Sequence, residues 1–289
     1  MNDAGWQEDA LAIPCGAERL VGVLAKPATH SDTGVVIVVG GPQYRAGSHR
    51  QFVLLARALA AGGVPALRFD VRGMGDATGS MQSFESSTLD LGCAIDALVT
   101  ACPGVRRVVL WGMCDAASLI LLHVSSSTDA RISGVVLANP WIRSDQTYAK
   151  TQLVHYYGKR LLQREFWAKL RRLDVDVAGS FAAIARQVVT ASRGAGRAHR
   201  GKFQDRMADG LRNFGKPVLL ILSGQDLTAR EFVEYAGKDV AWQGLLDAPC
   251  IARRDYADAD HTFSTQAARL QVETATLQWV NEVILGQRS

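Results

Sequence analysis

The sequence predicts an α/β fold, a mostly parallel sheet flanked by helices and carrying an inserted helical cap. Three observations predict it. Apolar runs rich in β-branched residues alternate with stretches of helical periodicity through the first 140 residues, the order expected of right-handed βαβ units. The runs are continuous, with no polar alternation, as strands buried on both faces read. The alternation breaks at Asn139-Pro140 and resumes only at Lys216, leaving an aromatic and basic stretch between.

Taken in order, Leu11 to Pro14 and Arg19 to Ala25 read as two short strands around the turn Cys15-Gly16-Ala17. Gly34 to Val39 is a stronger strand and ends at Gly40-Gly41-Pro42. Phe52, Leu55, Ala56 and Leu59 then share one helical face, stopped by Gly62-Gly63. Val64 to Phe69 is the next strand, followed by a loop, Asp70 to Asp76, whose glycines at 73 and 75 suit positive φ. Leu91, Ala94, Ile95 and Leu98 mark a second helix. Val108 to Trp111 and Ile132 to Ala138 are strands on either side of a helix over Ala117 to His123. Strand signal returns at Lys216 to Leu222 and at Ile251 to Tyr256, and a closing helix over Ser264 to Leu285 carries Leu270, Leu277, Val280 and Ile284 on one side. The resulting organisation is a core in two parts, 1–140 and 214–289, with a helical cap over 141–213.

A chain of 289 residues, 48% of them hydrophobic, suits one large domain with an insertion and lies outside the disordered range. No apolar run approaches the roughly 20 residues that span a bilayer. Met1 to Asp9 is acidic and lacks the basic-then-apolar order of a signal peptide. The five cysteines (15, 93, 102, 114 and 250) are scattered, with no C-x-x-C and no paired histidines. That pattern disfavours a disulfide framework or a metal site and makes the cytoplasm the expected compartment. Charge is uneven: Trp141 to Lys216 holds 16 Lys/Arg against 6 Asp/Glu in a chain of net charge +4. Such a surplus suits an anionic substrate or an acidic carrier, coenzyme A or an acyl carrier protein. No nucleic-acid module accompanies it, and a basic helix on a membrane surface is the other reading.

The chemistry centres on Gly112-Met113-Cys114-Asp115-Ala116, between a strand and a helix. Small residues two before and two after a central nucleophile are what a tight strand-to-helix turn needs, as in G-x-S-x-G. Here cysteine stands at the centre. A helix N-terminus beside the sulfur favours thiolate. A cysteine nucleophile needs a base, and the base an orienting acid. Asp226 follows the strand ending at Leu222, and His261 sits in a polar loop before the last helix, so Cys114, Asp226 and His261 occur in the order nucleophile, acid, histidine. The tetrahedral oxyanion of acyl transfer needs N–H donors, each contributing about 3–4 kcal/mol of barrier lowering. Those of Gly41 and Asp115 are the candidates.

These motifs, with Asp70-x-Arg-Gly-x-Gly-Asp76 and Gly224-Gln-Asp226, resemble the α/β-hydrolase superfamily over about residues 10–140 and 214–285. More narrowly, Val38 to Arg57, Arg72-Gly-Met-Gly-Asp76 and Leu110 to Asp115 resemble a bacterial family of hydrolases associated with exosortase A and exopolysaccharide gene clusters. The resemblance implies an α/β-hydrolase fold and a cytoplasmic enzyme without metal or cofactor. Cysteine in place of the superfamily's usual serine is similar to dienelactone hydrolases and polyhydroxyalkanoate synthases. It leaves three functions to separate: hydrolysis of a small ester or thioester, transfer of the acyl group to an amine, alcohol or thiol, and binding without catalysis. Arg45 and His49 are candidate contacts for a substrate anion and equally suit a helix start or pairing with neighbours. Met113 and Trp141 are candidate linings of an acyl pocket, and Asp70 and Arg72 read as braces of their loop.

Overall fold

The computed structural model describes residues 5–41, 43–143 and 202–286. The chain forms two compact units, Met1–Ile142 with Lys202–Ser289, and Arg143–Gly201. All but the first residue of the second unit lies outside the described residues, and so does most of the expected cap.

The first unit is built on one eight-stranded sheet in the order β1-β2-β4-β3-β5-β6-β7-β8. Its strands are β1 (Trp6–Cys15), β2 (Glu18–Pro27), β3 (Thr33–Val38), β4 (Ala66–Asp70), β5 (Arg107–Met113), β6 (Ile132–Ala138), β7 (Val218–Ser223) and β8 (Ile251–Tyr256). The pairs β1–β2 and β2–β4 are antiparallel and all others are parallel. The first two strands are longer than expected, because the hairpin pairs continuously from Trp6 opposite Pro27 to Cys15 opposite Glu18.

The described helices are α1 (Gln51–Ala61), α2 (Thr88–Ala101), α3 (Asp115–Ser126), α4 (Phe203–Phe214), α5 (Leu227–Lys238) and α6 (Gln266–Trp279). Period-two alternation divides each central strand between two apolar layers. Val108 and Leu110 of β5 pack with α2, α3, α4 and α5, while Val109, Trp111 and Met113 pack with α1 and α6. In the second layer Phe52 meets Trp111 edge-on, with ring centroids 5.8 Å apart. Trp111 donates its indole N–H to Thr276 Oγ1 at 3.3 Å.

Three expectations are corrected here. Residues 203–213, read as cap, form α4, which lies on α3 so closely that a Cβ at Gly210 would stand 2.1 Å from the Leu121 carbonyl oxygen. Helix α5 has no counterpart in the sequence reading. Of the face expected for the closing helix, Val280 is buried and Leu277 packs on the second layer, but Leu270 points outward at 46% exposure and the buried face of α6 is Ala268, Val272, Glu273, Thr276 and Trp279. Among the described residues no helix is long and apolar enough to cross a membrane, and no group of three or more His, Cys, Asp or Glu could hold a metal ion.

Candidate active site

Strand β5 runs directly into α3, and Cys114 is the hinge, with φ 60° and ψ −125°. A non-glycine residue there is strained, and the surroundings must hold it. The Cys114 N–H donates to the Ala138 carbonyl at 2.9 Å, and the Cys114 carbonyl accepts from Ala117, Ser118 and Trp141 N–H groups at 3.1, 3.3 and 3.1 Å. Gly112 is required by proximity, since a Cβ there would lie 2.8 Å from the backbone of Ala116. The turn leaves the Cys114 side chain partly exposed, in contrast with Cys15 and Cys102. Burial, then Cys93 and Asp90, push the Cys15 thiol up to about 12, and burial raises that of Cys102.

The other two candidates meet each other. Strand β7 ends at Ser223 opposite Tyr256 of β8, and beyond them Gly224 N–H donates to the Tyr256 carbonyl and Gln225 N–H to that of Ala259, both at 2.9 Å. A Cβ at Gly224 would stand 2.3 Å from the Ala257 carbonyl oxygen, so only glycine lets the loops close. Asp226 therefore reaches His261, and its Oδ2 lies 2.8 Å from His261 Nδ1. Asp226 is also the N-cap of α5, accepting from Thr228 N–H at 3.0 Å and Ala229 N–H at 3.1 Å. The helix that escaped the sequence reading thus fixes the carboxylate that contacts the imidazole. Asp260 closes the His261 loop by accepting from the N–H groups of Thr262 and Ser264 and the Ser264 hydroxyl. These bonds, the Ser264 hydroxyl first, hold the Asp260 carboxyl below its ordinary range against the opposing effect of burial, with help from His49.

One residue the sequence reading missed is Asn139. It is fully buried at φ 45°, just past β6. Its side-chain N–H groups donate to Ser223 Oγ at 2.9 Å and to the His261 carbonyl at 3.1 Å, and its Oδ1 accepts from Ser223 N–H at 2.9 Å. With Cys114 bonded to Ala138 next door, a continuous chain of hydrogen bonds ties the elbow, the acid strand and the histidine loop together.

The loop after β3 lies against the start of α3. A Cβ on Gly40 would meet Asp115 Oδ1 at 2.0 Å and Ala116 N at 2.6 Å. The Gly41 N–H, expected to face substrate, donates instead to Asp115 Oδ2 at 2.6 Å. Burial pushes the Asp115 carboxyl upward, against the Gly41, Ala116 and Asp115 N–H groups and the charge of His261, which pull it down. Of the two readings of Arg45, the structure shows the pairing with neighbours. Arg45 pairs with the buried Asp70 and, at 2.7 Å, with Asp76, and its own N–H donates to Asp70 Oδ1 at 2.6 Å. Its partners lie 25 and 31 residues away, beyond what local spacing reveals. Arg72 is likewise held by Asp90, through its N–H at 2.9 Å and its Nε at 2.7 Å. His49 is exposed on the same side as Asp260. Met113 is buried at 2% among the residues facing α1 and α6. Trp141 is pinned beside the elbow, its carbonyl accepting from Ser118 Oγ at 2.6 Å.

A nucleophile-type elbow after one central strand, with an acid and a histidine in contact after two later ones, defines a class of α/β hydrolases. The chain belongs to the alpha/beta hydrolase family, whose model matches residues 35–272. Its fold is similar to that of the Pyrococcus furiosus esterase Pf2001, with TM-score 0.67 and 18% identity over 97% of this chain and 92% of that one. It is also similar to a dienelactone hydrolase from Anabaena variabilis, with TM-score 0.60 and 15% identity over 96% and 99%. A third is Est1E from Butyrivibrio proteoclasticus, solved with ferulic acid bound, with TM-score 0.61 and 16% identity over 96% and 100%. At these identities the likeness is one of fold. None of the curated proteins matches the chain in sequence.

Proposed function

We propose that the chain is a hydrolase that cleaves a small ester or thioester through Cys114, His261 and Asp226. The observation that carries this reading is the 2.8 Å contact between Asp226 and His261 Nδ1, at the sheet edge from which Cys114 projects. With Nδ1–H donating to Asp226, Nε2 keeps its lone pair and takes the Cys114 proton. The thiolate attacks the acyl carbon, a C–S bond forms, and the carbonyl π electrons move onto oxygen. Collapse of that oxyanion expels the alcohol or thiol, which receives its proton from His261. Water, deprotonated by His261, then attacks the thioester and frees Cys114 and the acid.

Sulfur at the elbow favours a second reading, acyl transfer, because a thioester intermediate passes its acyl group to an amine or thiol as readily as to water. The resemblance of residues 38–57 supports a place among exosortase-linked hydrolases, and the basic surplus of residues 141–216 supports an anionic acyl carrier as donor. The test is intact mass after incubation with a panel of activated esters and acyl thioesters. Wild type gains one acyl group and Cys114→Ala none. A wild-type protein that takes up no acyl group from any of them is a binding protein on this fold. Product partition between water and added amine separates hydrolysis from transfer.

A further inference from the structure

One of the two N–H groups nominated for the oxyanion, that of Gly41, already has an acceptor, and it belongs to the protein. Asp115 Oδ2 sits 2.6 Å from Gly41 N. The N–H groups of Ala116 and of Asp115 itself pull the pKa of the same carboxylate down. Its other oxygen fills the space that a Gly40 side chain would need, so the glycine pair forms a cradle fitted to a carboxylate. A backbone N–H serves one strong acceptor at a time. The carboxylate is an anion placed where an anion must develop during acyl transfer.

We propose that Asp115 gates the site: its carboxylate occupies the oxyanion-binding position in the resting protein and must rotate out before Cys114 can be acylated. The inference rests on the Cys114 chemistry proposed above and adds a residue that selects when that chemistry runs. It also makes Asp115 a selector among substrates. An acyl donor must bind well enough to displace a charge-assisted contact, so small unactivated esters react slowly while donors with further binding groups open the gate.

The experiment is single-turnover acylation by p-nitrophenyl acetate, read as p-nitrophenolate release and as intact mass, for wild type, Asp115→Ala and Asp115→Asn. Freeing the Gly41 N–H is expected to raise the acylation rate constant of Asp115→Ala by about 10–100-fold. Asp115→Asn keeps the shape without the charge, and its rise is smaller, at least about threefold, because a neutral acceptor holds N–H groups about half as strongly. It decides the matter if the alanine variant does not fold. A rate in both variants equal to or below wild type overturns the gate while leaving the function standing, provided the wild-type adduct is on Cys114. An absence of Cys114 adduct in every protein overturns the function, and the gate goes with it.

Discussion

Asn139→Ala tests whether the hydrogen-bonded chain behind the site is what aims His261. The side chain makes three hydrogen bonds inside a fully buried environment, two with Ser223 and one with the His261 carbonyl. At about 1 kcal/mol net each, their loss costs about 3 kcal/mol. Asn139 also sits at φ 45°, where alanine is disfavoured relative to asparagine by about 1 kcal/mol. The sum, about 4 kcal/mol, is below the roughly 5–15 kcal/mol that holds a domain folded, so the variant is expected to fold with Tm lowered by about 10 °C. The larger consequence is for catalysis. Released from Asn139, the His261 loop keeps the Asp226 contact, its own Asp260 bonds and the Gln225 N–H bond to Ala259 but loses the bond to the His261 backbone from the end of β6. A displacement approaching 1 Å costs about 100-fold in rate. Steady-state assay on an activated thioester is therefore expected to show kcat down by about 10–100-fold with KM changed less than about threefold. If Asn139→Ala melts early yet keeps wild-type kcat, the chain is structural only and the positioning argument is wrong.

Thiol reactivity should rank by environment: limiting iodoacetamide at pH 8 on the native protein is expected to alkylate Cys114 ahead of Cys15 and Cys102, whose thiols are held in the protonated form. Peptide mapping that finds Cys15 or Cys102 labelled first would contradict this. Gly40→Ala should abolish acylation, because its Cβ would stand 2.6 Å from Ala116 N in a backbone that cannot yield, and an active variant would remove the cradle from the account. Gly210→Ala, whose Cβ would stand 2.1 Å from the Leu121 carbonyl oxygen, should separate α4 from α3 and lower stability by about 1–3 kcal/mol in urea unfolding. His123, on α3, has its imidazole pushed down by burial against the opposing pull of the Asp129 carboxylate. A group with a lowered native pKa binds fewer protons folded than unfolded, so its stabilisation is complete above about pH 6.5 and is lost as the pH falls toward the native value. His123→Leu should flatten that part of the stability profile, and an unchanged profile would assign the acid sensitivity elsewhere.

What the sequence revealed and what it hid follow from the range of the forces involved. Strands β3, β5, β6 and β7 were legible because burial on both faces demands apolar runs, and the elbow because Gly112 and Ala116 answer a steric requirement only two residues from Cys114. The acid and histidine were legible as strand-end residues in a known order, although their contact depends on Gly224 admitting the 257–261 loop. Helix α5 was hidden because its buried side is just Ala229, Phe232 and Ala236, and because Asp226, the residue that would have announced it as an N-cap, already had a role. The face of α6 was misread for a related reason: Leu270 looks apolar, yet the inner positions hold Thr276 and Glu273, the latter with its carboxyl pushed up by burial.

The sequence reading used Asp115 for its N–H alone, because sequence motifs specify backbone more securely than side chains. The elbow demands an N–H at position 115 and leaves the side chain free. Gly41, 74 residues earlier, is what that side chain finds. Most side chains in its place would leave the Gly41 N–H open to substrate, so an aspartate there is either a fault in the catalytic arrangement or a control on it. The surroundings favour control. The carboxylate has a fitted cradle at Gly40, a backbone donor in the Gly41 N–H, and a histidine close enough for its charge to be felt. Burial nevertheless raises its pKa, so its hold on the donor is opposed from within. A contact held that way yields to a substrate that binds well and resists one that does not, which is what a thiol capable of attacking many acyl donors would need in order to discriminate among them.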